Sequence, residues 1–158
     1  MFIRDILNLK GTTIFSIAPT GKVSDAVKVM VGNDIGSLVV MESGRMTGML
    51  TFREVLKALD AQGGDLGALP VGAVMVRDPI CGSPDDTIDQ LREVMTQNHV
   101  RYLPVREGDA LLGVISFHDV AKAVIKETSF ENRLLKRYIK NWPEESTKNL
   151  PGPGPTNS

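Results

Sequence analysis

Cysteine is almost missing from this 158-residue chain: Cys81 is the only one. A lone cysteine excludes an intrachain disulfide and a thiolate zinc cluster, so the core must hold by packing alone. That fits a reducing compartment. Aromatic residues are scarce at 5%, and the formal net charge is only −1. Such a balance gives no bulk attraction to nucleic acid or to an anionic membrane. No apolar run approaches the roughly 20 residues of a membrane-spanning helix. The first residues, MFIRDILNLKGTT, break their apolar run with Arg4 and Asp5, unlike the core of a signal peptide. The expectation is a cytoplasmic protein. A Walker-type loop, a G-x-S-x-G elbow and a metal-ligand cluster are also missing, and no enzymatic activity is expected.

What the chain does contain is itself, twice. A shift of 65 residues lays GMLTFREVLKAL on GVISFHDVAKAV, without a gap from Pro19 on Pro84 to Leu59 on Val124. Twelve of these 41 pairs are identical, among them Met30/Met95, Asn33/Asn98, Gly48/Gly113 and Phe52/Phe117. Composition alone would give roughly one match in fifteen. The chain is an internal duplication.

Each copy reads as β-α-β-β-α. In the first, TIFSI is a short strand ended by Pro19, and Val23, Ala26, Val27, Met30 and Val31 form one apolar helix face. SLVVM and MTGML follow as strands around Gly44, and Phe52, Val55, Leu56 and Leu59 mark a second helix. The second copy offers PICG, a helix from about Thr87 to Asn98, strands YLPV and LLGVI around Gly108-Asp109, and a helix from Ser116. The fold class is α+β, with the two units packed as one tandem because one three-stranded sheet makes a thin core. The expected bounds are 1–62 for the first unit, 63–70 for a Gly-rich linker and 71–128 for the second unit. An amphipathic helix follows at 129–142, with Phe130, Leu134, Leu135, Tyr138, Ile139 and Trp142 near one side. Its basic face, Arg133, Lys136, Arg137 and Lys140, is either solvated or set for a partner. The tail 143–158, containing LPGPGP, is expected to be disordered.

Two helix starts carry the candidate chemistry. Ser116 is a good N-cap and Asp119 sits three residues on; Thr51 and Glu54 repeat the arrangement. These residues could do no more than begin helices, each cap contributing about 1 kcal/mol. The same geometry also offers free backbone N–H groups and a carboxylate that can accept both hydroxyls of a sugar. His118 lies beside Asp119, which would suit a metal or acid–base pair. The only other histidine, His99, falls in a helix-to-strand loop, and the counterpart of His118 in the first copy is Arg53. An arginine is no base at neutral pH, so a phosphate or surface contact fits the pair better. Cys81, next to Ile80, reads as a small buried hydrophobe, with a redox role as the alternative.

The signatures GMLTFRE and GVISFHD, with VMVRDPICGSPDDT, HVRYLPV and DIGSLVV in support, resemble those of tandem CBS domains, the Bateman module. The likeness covers roughly residues 1 to 128, and ENRLLKRYI resembles the terminal helix of stand-alone bacterial CBS-pair proteins. The resemblance implies a pseudo-twofold pair with two clefts for adenine ligands: AMP, ADP, ATP, NAD or S-adenosylmethionine. It implies a disc-shaped homodimer and a regulated partner protein. It places the ribose on Ser116 and Asp119, and on Thr51 and Glu54, where glutamate departs from the usual aspartate. It places adenine near Ile80, Tyr102, Leu103 and Pro104, and phosphate near Arg101, Arg53 and His118. The alternative reading is a ligand-free dimerisation and interaction module.

Overall fold

The computed structural model describes residues 1–140. Trp142 and the 143–158 tail lie outside the described residues. The chain divides into two bodies, residues 1–121 and residues from 122 onward.

In the first body, helix α1 (Ile3–Lys10) precedes β1 (Ser16–Ile17), α2 (Val23–Asn33), β2 (Ser37–Glu42), β3 (Arg45–Thr51) and α3 (Phe52–Ala61). A short 3-10 turn (Val71–Ala73) and β4 (Val76–Arg77) lead to α4 (Ile88–Gln97), β5 (Tyr102–Glu107) and β6 (Ala110–Ser116). The final helix, α5, runs from Phe117 to Lys140. Where the sequence suggested one helix ending the second unit and another following it, the chain forms a single helix of 24 residues. Its sequence has neither glycine nor proline between those ends, so nothing in it breaks the backbone ladder.

The duplication is visible in fine detail. Both hairpins shift register at the same step, Val40/Met41 in one copy and Val105/Arg106 in the other. The helices that precede them both end through a left-handed residue, Asp34 at φ 51° and His99 at φ 53°. The first hairpin turns through Ser43 and Gly44, both at positive φ, which matches the right-handed strand twist. Buried residues recur in register: Val23/Ile88, Ala26/Leu91, Met30/Met95, Leu38/Leu103, Val40/Val105 and Leu50/Ile115.

The two sheets are unequal. The first has four strands in the order β1-β2-β3-β4; the second has only β5 and β6. The expected strand at PICG shrinks to one parallel bridge, Gly82 to Val105. Around it Gly82 donates to Pro104 and accepts from Arg106, each at 2.9 Å. Pro79, which begins this segment, has no N–H to extend the ladder.

The peptide ahead of each copy belongs to the other copy's core. Helix α1 buries Ile3, Ile6 and Leu7. It is stitched to the second copy by Ile3 N–H to Asp86 O at 2.9 Å and Arg4 N–H to Pro84 O at 3.1 Å. Burying each of these three side chains is worth about 1.5–3 kcal/mol. In the mirror-image exchange, residues 69–77 lie on the first copy. Val71 donates to Gly21 and Gly72 to Pro19, both at 2.8 Å, and β4 pairs with β3. Val71 is fully buried in the first core, with Leu69, Val74 and Met75 packed around it.

This exchange explains the repeated glycine of the two signatures. A Cβ on Gly48 would stand 2.6 Å from the Val76 carbonyl oxygen and 2.9 Å from Met75 Sδ. A Cβ on Gly113 would meet only Leu7 Cδ2, also at 2.9 Å. A carbonyl in a paired strand cannot move aside, whereas a leucine methyl can rotate. Gly48→Ala is therefore expected to cost about 1–3 kcal/mol and Gly113→Ala distinctly less. Denaturant melts of the two variants check this order, and equal losses would contradict it.

Candidate functional site

At the start of α5, Ser116 ends β6 and its hydroxyl accepts the Asp119 N–H at 3.1 Å. The Asp119 carboxylate returns the bond, its Oδ2 accepting the Ser116 N–H at 2.8 Å. A third partner comes from the far end of the sequence. Lys10 Nζ donates to the same Oδ2 at 2.6 Å and to the Val114 carbonyl at 2.7 Å. α1 ends at Lys10 because Gly11 takes φ 93° and returns its N–H to Leu7 O. A cation in the last turn also suits the negative end of the helix dipole.

At the start of α3, the Thr51 N–H donates to Glu54 Oε2 at 2.9 Å, the Thr51 hydroxyl donates to the same carboxylate, and the Arg53 N–H reaches Thr51 Oγ1 at 3.2 Å. Both helix starts are thus closed capping boxes. They differ in that the aspartate also carries a lysine, while the described bonds of Glu54 all come from Thr51.

The remaining candidates do not gather in one place. Arg101 and Tyr102 reach from the second copy to the α3 start. The Arg101 guanidinium lies 5.5 Å above the Phe52 ring, and Tyr102 meets the same ring edge-on at 6.3 Å. Gly36 makes this possible, because any Cβ there would fall on the Tyr102 hydroxyl. Phe52 and Gly36 were not foreseen as part of this cluster; their partners are distant in sequence. Strand alternation sends Leu103 to the opposite face of β5 from Tyr102 and Pro104. There Leu103 is buried, lining a cavity of about 240 Å³ with Cys81, Gly82, Asp86, Gln90, Leu91 and Val94. Pro104 is buried as well, while Ile80, Arg53 and His118 are exposed. Ser116, His118 and Asp119 share the α5 start; Thr51, Arg53 and Glu54 share that of α3 with Arg101 and Tyr102.

Cys81 is half-buried, and its thiol donates to the Pro79 carbonyl at 3.2 Å. Burial pushes its pKa up, against a smaller opposing pull from Arg106, so it is held as thiol, the less reactive form. Among the described residues no group of three or more His, Cys, Asp or Glu is placed to hold a metal ion. Among them, too, no helix is long and apolar enough to cross a membrane.

Burial raises the pKa of Asp119, but Lys10 and the Ser116 N–H and hydroxyl outweigh it, and the net shift is downward. The sign follows: a carboxylate with a lowered pKa adds stability at neutral pH that is lost as pH falls through its folded-state value. The melting-temperature difference between the natural chain and Asp119→Asn is expected to be largest near neutral pH. It should shrink on acidification below the ordinary aspartate range. A difference independent of pH would contradict the ion pair.

Comparison with known proteins agrees with this architecture. The CBS domain family model matches residues 3–61 and 71–126. CBS domain-containing protein YhcV of Bacillus subtilis is 30% identical over 110 residues, covering 70% of this chain and 78% of YhcV. The crystal structure of the CBS-domain containing protein ATU1752 from Agrobacterium tumefaciens superposes with a TM-score of 0.75 at 32% identity, covering 78% of this chain and 98% of that one. The CBS domain pair of protein MJ0100, at 19% identity, shares the fold with a TM-score of 0.70, over 80% of this chain and 98% of its own. Two successive family matches on a duplicated β-α-β-β-α unit leave one conclusion: this chain belongs to the CBS domain family and carries a tandem CBS pair.

Proposed function

We propose that this CBS pair, a regulatory module by family, binds an adenine nucleotide or adenosyl compound at the α5 start. Occupancy would be read by a partner protein. The carrying observation is Asp119: an ionised carboxylate, its side chain 17% exposed, held by a helix-start N–H and a lysine. A carboxylate so poised can accept the two hydroxyls of a ribose through charge-assisted hydrogen bonds. The MJ0100 pair, solved in complex with 5′-methylthioadenosine and S-adenosyl-L-methionine, supports the choice of ligand class. AMP, ADP, ATP, NAD and S-adenosylmethionine all contain the adenosine portion that this site would recognise. The first copy is the weaker site, since Tyr102 and Arg101 crowd the Phe52 that opens its helix. A ligand joining elements of both copies would shift the population of their arrangements, a change that a homodimer could pass to its partner.

A second reading, a ligand-free dimerisation module, draws on α5, where Phe130, Leu134 and Leu135 are about half exposed. One screen separates the two. At one hundred times its dissociation constant, a bound ligand adds about 2.7 kcal/mol, raising the melting temperature by roughly 5–10 °C at this size. Asp119→Ala should weaken binding by about 1.5–3 kcal/mol, and Glu54→Ala far less. Flat melting curves of folded protein with all five compounds would remove the ligand reading and leave the interaction module, for which truncation at residue 130 should abolish the dimer.

A further inference from the structure

Lys10 lies ahead of the stretches 19–59 and 84–124 that align in the duplication, yet its ammonium occupies the carboxylate on which the proposed ligand site depends. It bonds Asp119 Oδ2 at 2.6 Å, the oxygen that also accepts the Ser116 N–H. A ribose diol asks the same carboxylate to accept two hydroxyl protons. A diol that puts one hydroxyl on each carboxylate oxygen needs Oδ2, which is already taken from two sides, so the diol and the ammonium compete there.

We infer that Lys10 governs the access of vicinal-diol ligands to Asp119: without ligand it latches the carboxylate, and a ribose enters by taking Asp119 from it. This rests on the ligand site proposed above. Three features make the exchange feasible. The Lys10 ammonium keeps a second acceptor, the Val114 carbonyl at 2.7 Å, so on release it remains partnered. Its long flexible stem allows the head to swing while the backbone stays. The α1 backbone is held independently by buried Ile3, Ile6 and Leu7, so the motion is confined to one side chain. A ligand without the diol cannot replace the ammonium and is excluded.

The test is calorimetric titration of the full chain with AMP and with S-adenosylmethionine, for the natural protein, Lys10→Met and Asp119→Asn. Lys10→Met keeps the apolar stem and removes the charge. It should bind about tenfold more tightly, the factor by which a site competent one tenth of the time is weakened. Asp119→Asn should bind at least about tenfold more weakly, and 2′,3′-dideoxyadenosine should bind neither the natural protein nor Lys10→Met. If the natural chain binds and Lys10→Met binds equally or more weakly, the latch is overturned while the ligand site stands. If neither binds, the site falls and the latch with it. Should Lys10→Met fail to fold, NMR of the natural chain gives the second readout. Solvent exchange of the Lys10 ammonium protons should quicken on adding AMP, and unchanged or slower exchange overturns the latch.

Discussion

Each copy of the repeat leaves part of its core uncovered, and the peptide that covers it comes from ahead of the other copy. Helix α1 places Ile3, Ile6 and Leu7 on the second copy; residues 69–77 place Val71 and Met75 on the first and add β4 to its sheet. A β-α-β-β-α unit of this size is a thin core by itself, and the exchange makes each copy's burial depend on the chain of the other. Much else follows from that constraint. Gly48 lies under the β4 backbone and Gly113 under the Leu7 side chain of α1, and Lys10 arrives at Asp119 because α1 ends there.

The two helix starts show how one local device acquires two characters. Ser116-Asp119 and Thr51-Glu54 both close capping boxes, so helix initiation is common to them. The surroundings then diverge. Asp119 gains a lysine and a lowered pKa. The α3 start instead meets Arg101 and Tyr102 across the pair, seated against Phe52 and Gly36. Residues that align in the repeat therefore sit in different surroundings, because the neighbours that meet them are not themselves repeated.

The candidate residues were legible to different degrees. Ser116, Asp119, Thr51 and Glu54 were readable because a cap and its N3 partner lie within one turn, and spacing alone specifies their geometry. The resemblance grouped Tyr102 and Leu103 together near an adenine. Strand alternation separates them, Tyr102 towards the other copy and Leu103 into its own core. The PICG strand was expected from its counterpart TIFSI, and it forms a single bridge in a segment begun by Pro79. Lys10 had only a local signal, a basic residue just ahead of a glycine. Its partner is 109 positions away, a distance that no periodicity encodes.

The amino-acid order alone determined the duplication, the helices and hairpin strands that the two copies share, the hairpin turns and the capping boxes of α3 and α5. Each of these depends on residues within a few positions of one another, or on a pattern repeated at a fixed offset. Tertiary structure decided which peptide closes which core, which face of β5 each candidate residue takes, and which cation meets Asp119. Those outcomes depend on packing between segments far apart in the chain, where hydrophobic burial is non-directional and only the assembled geometry selects a partner.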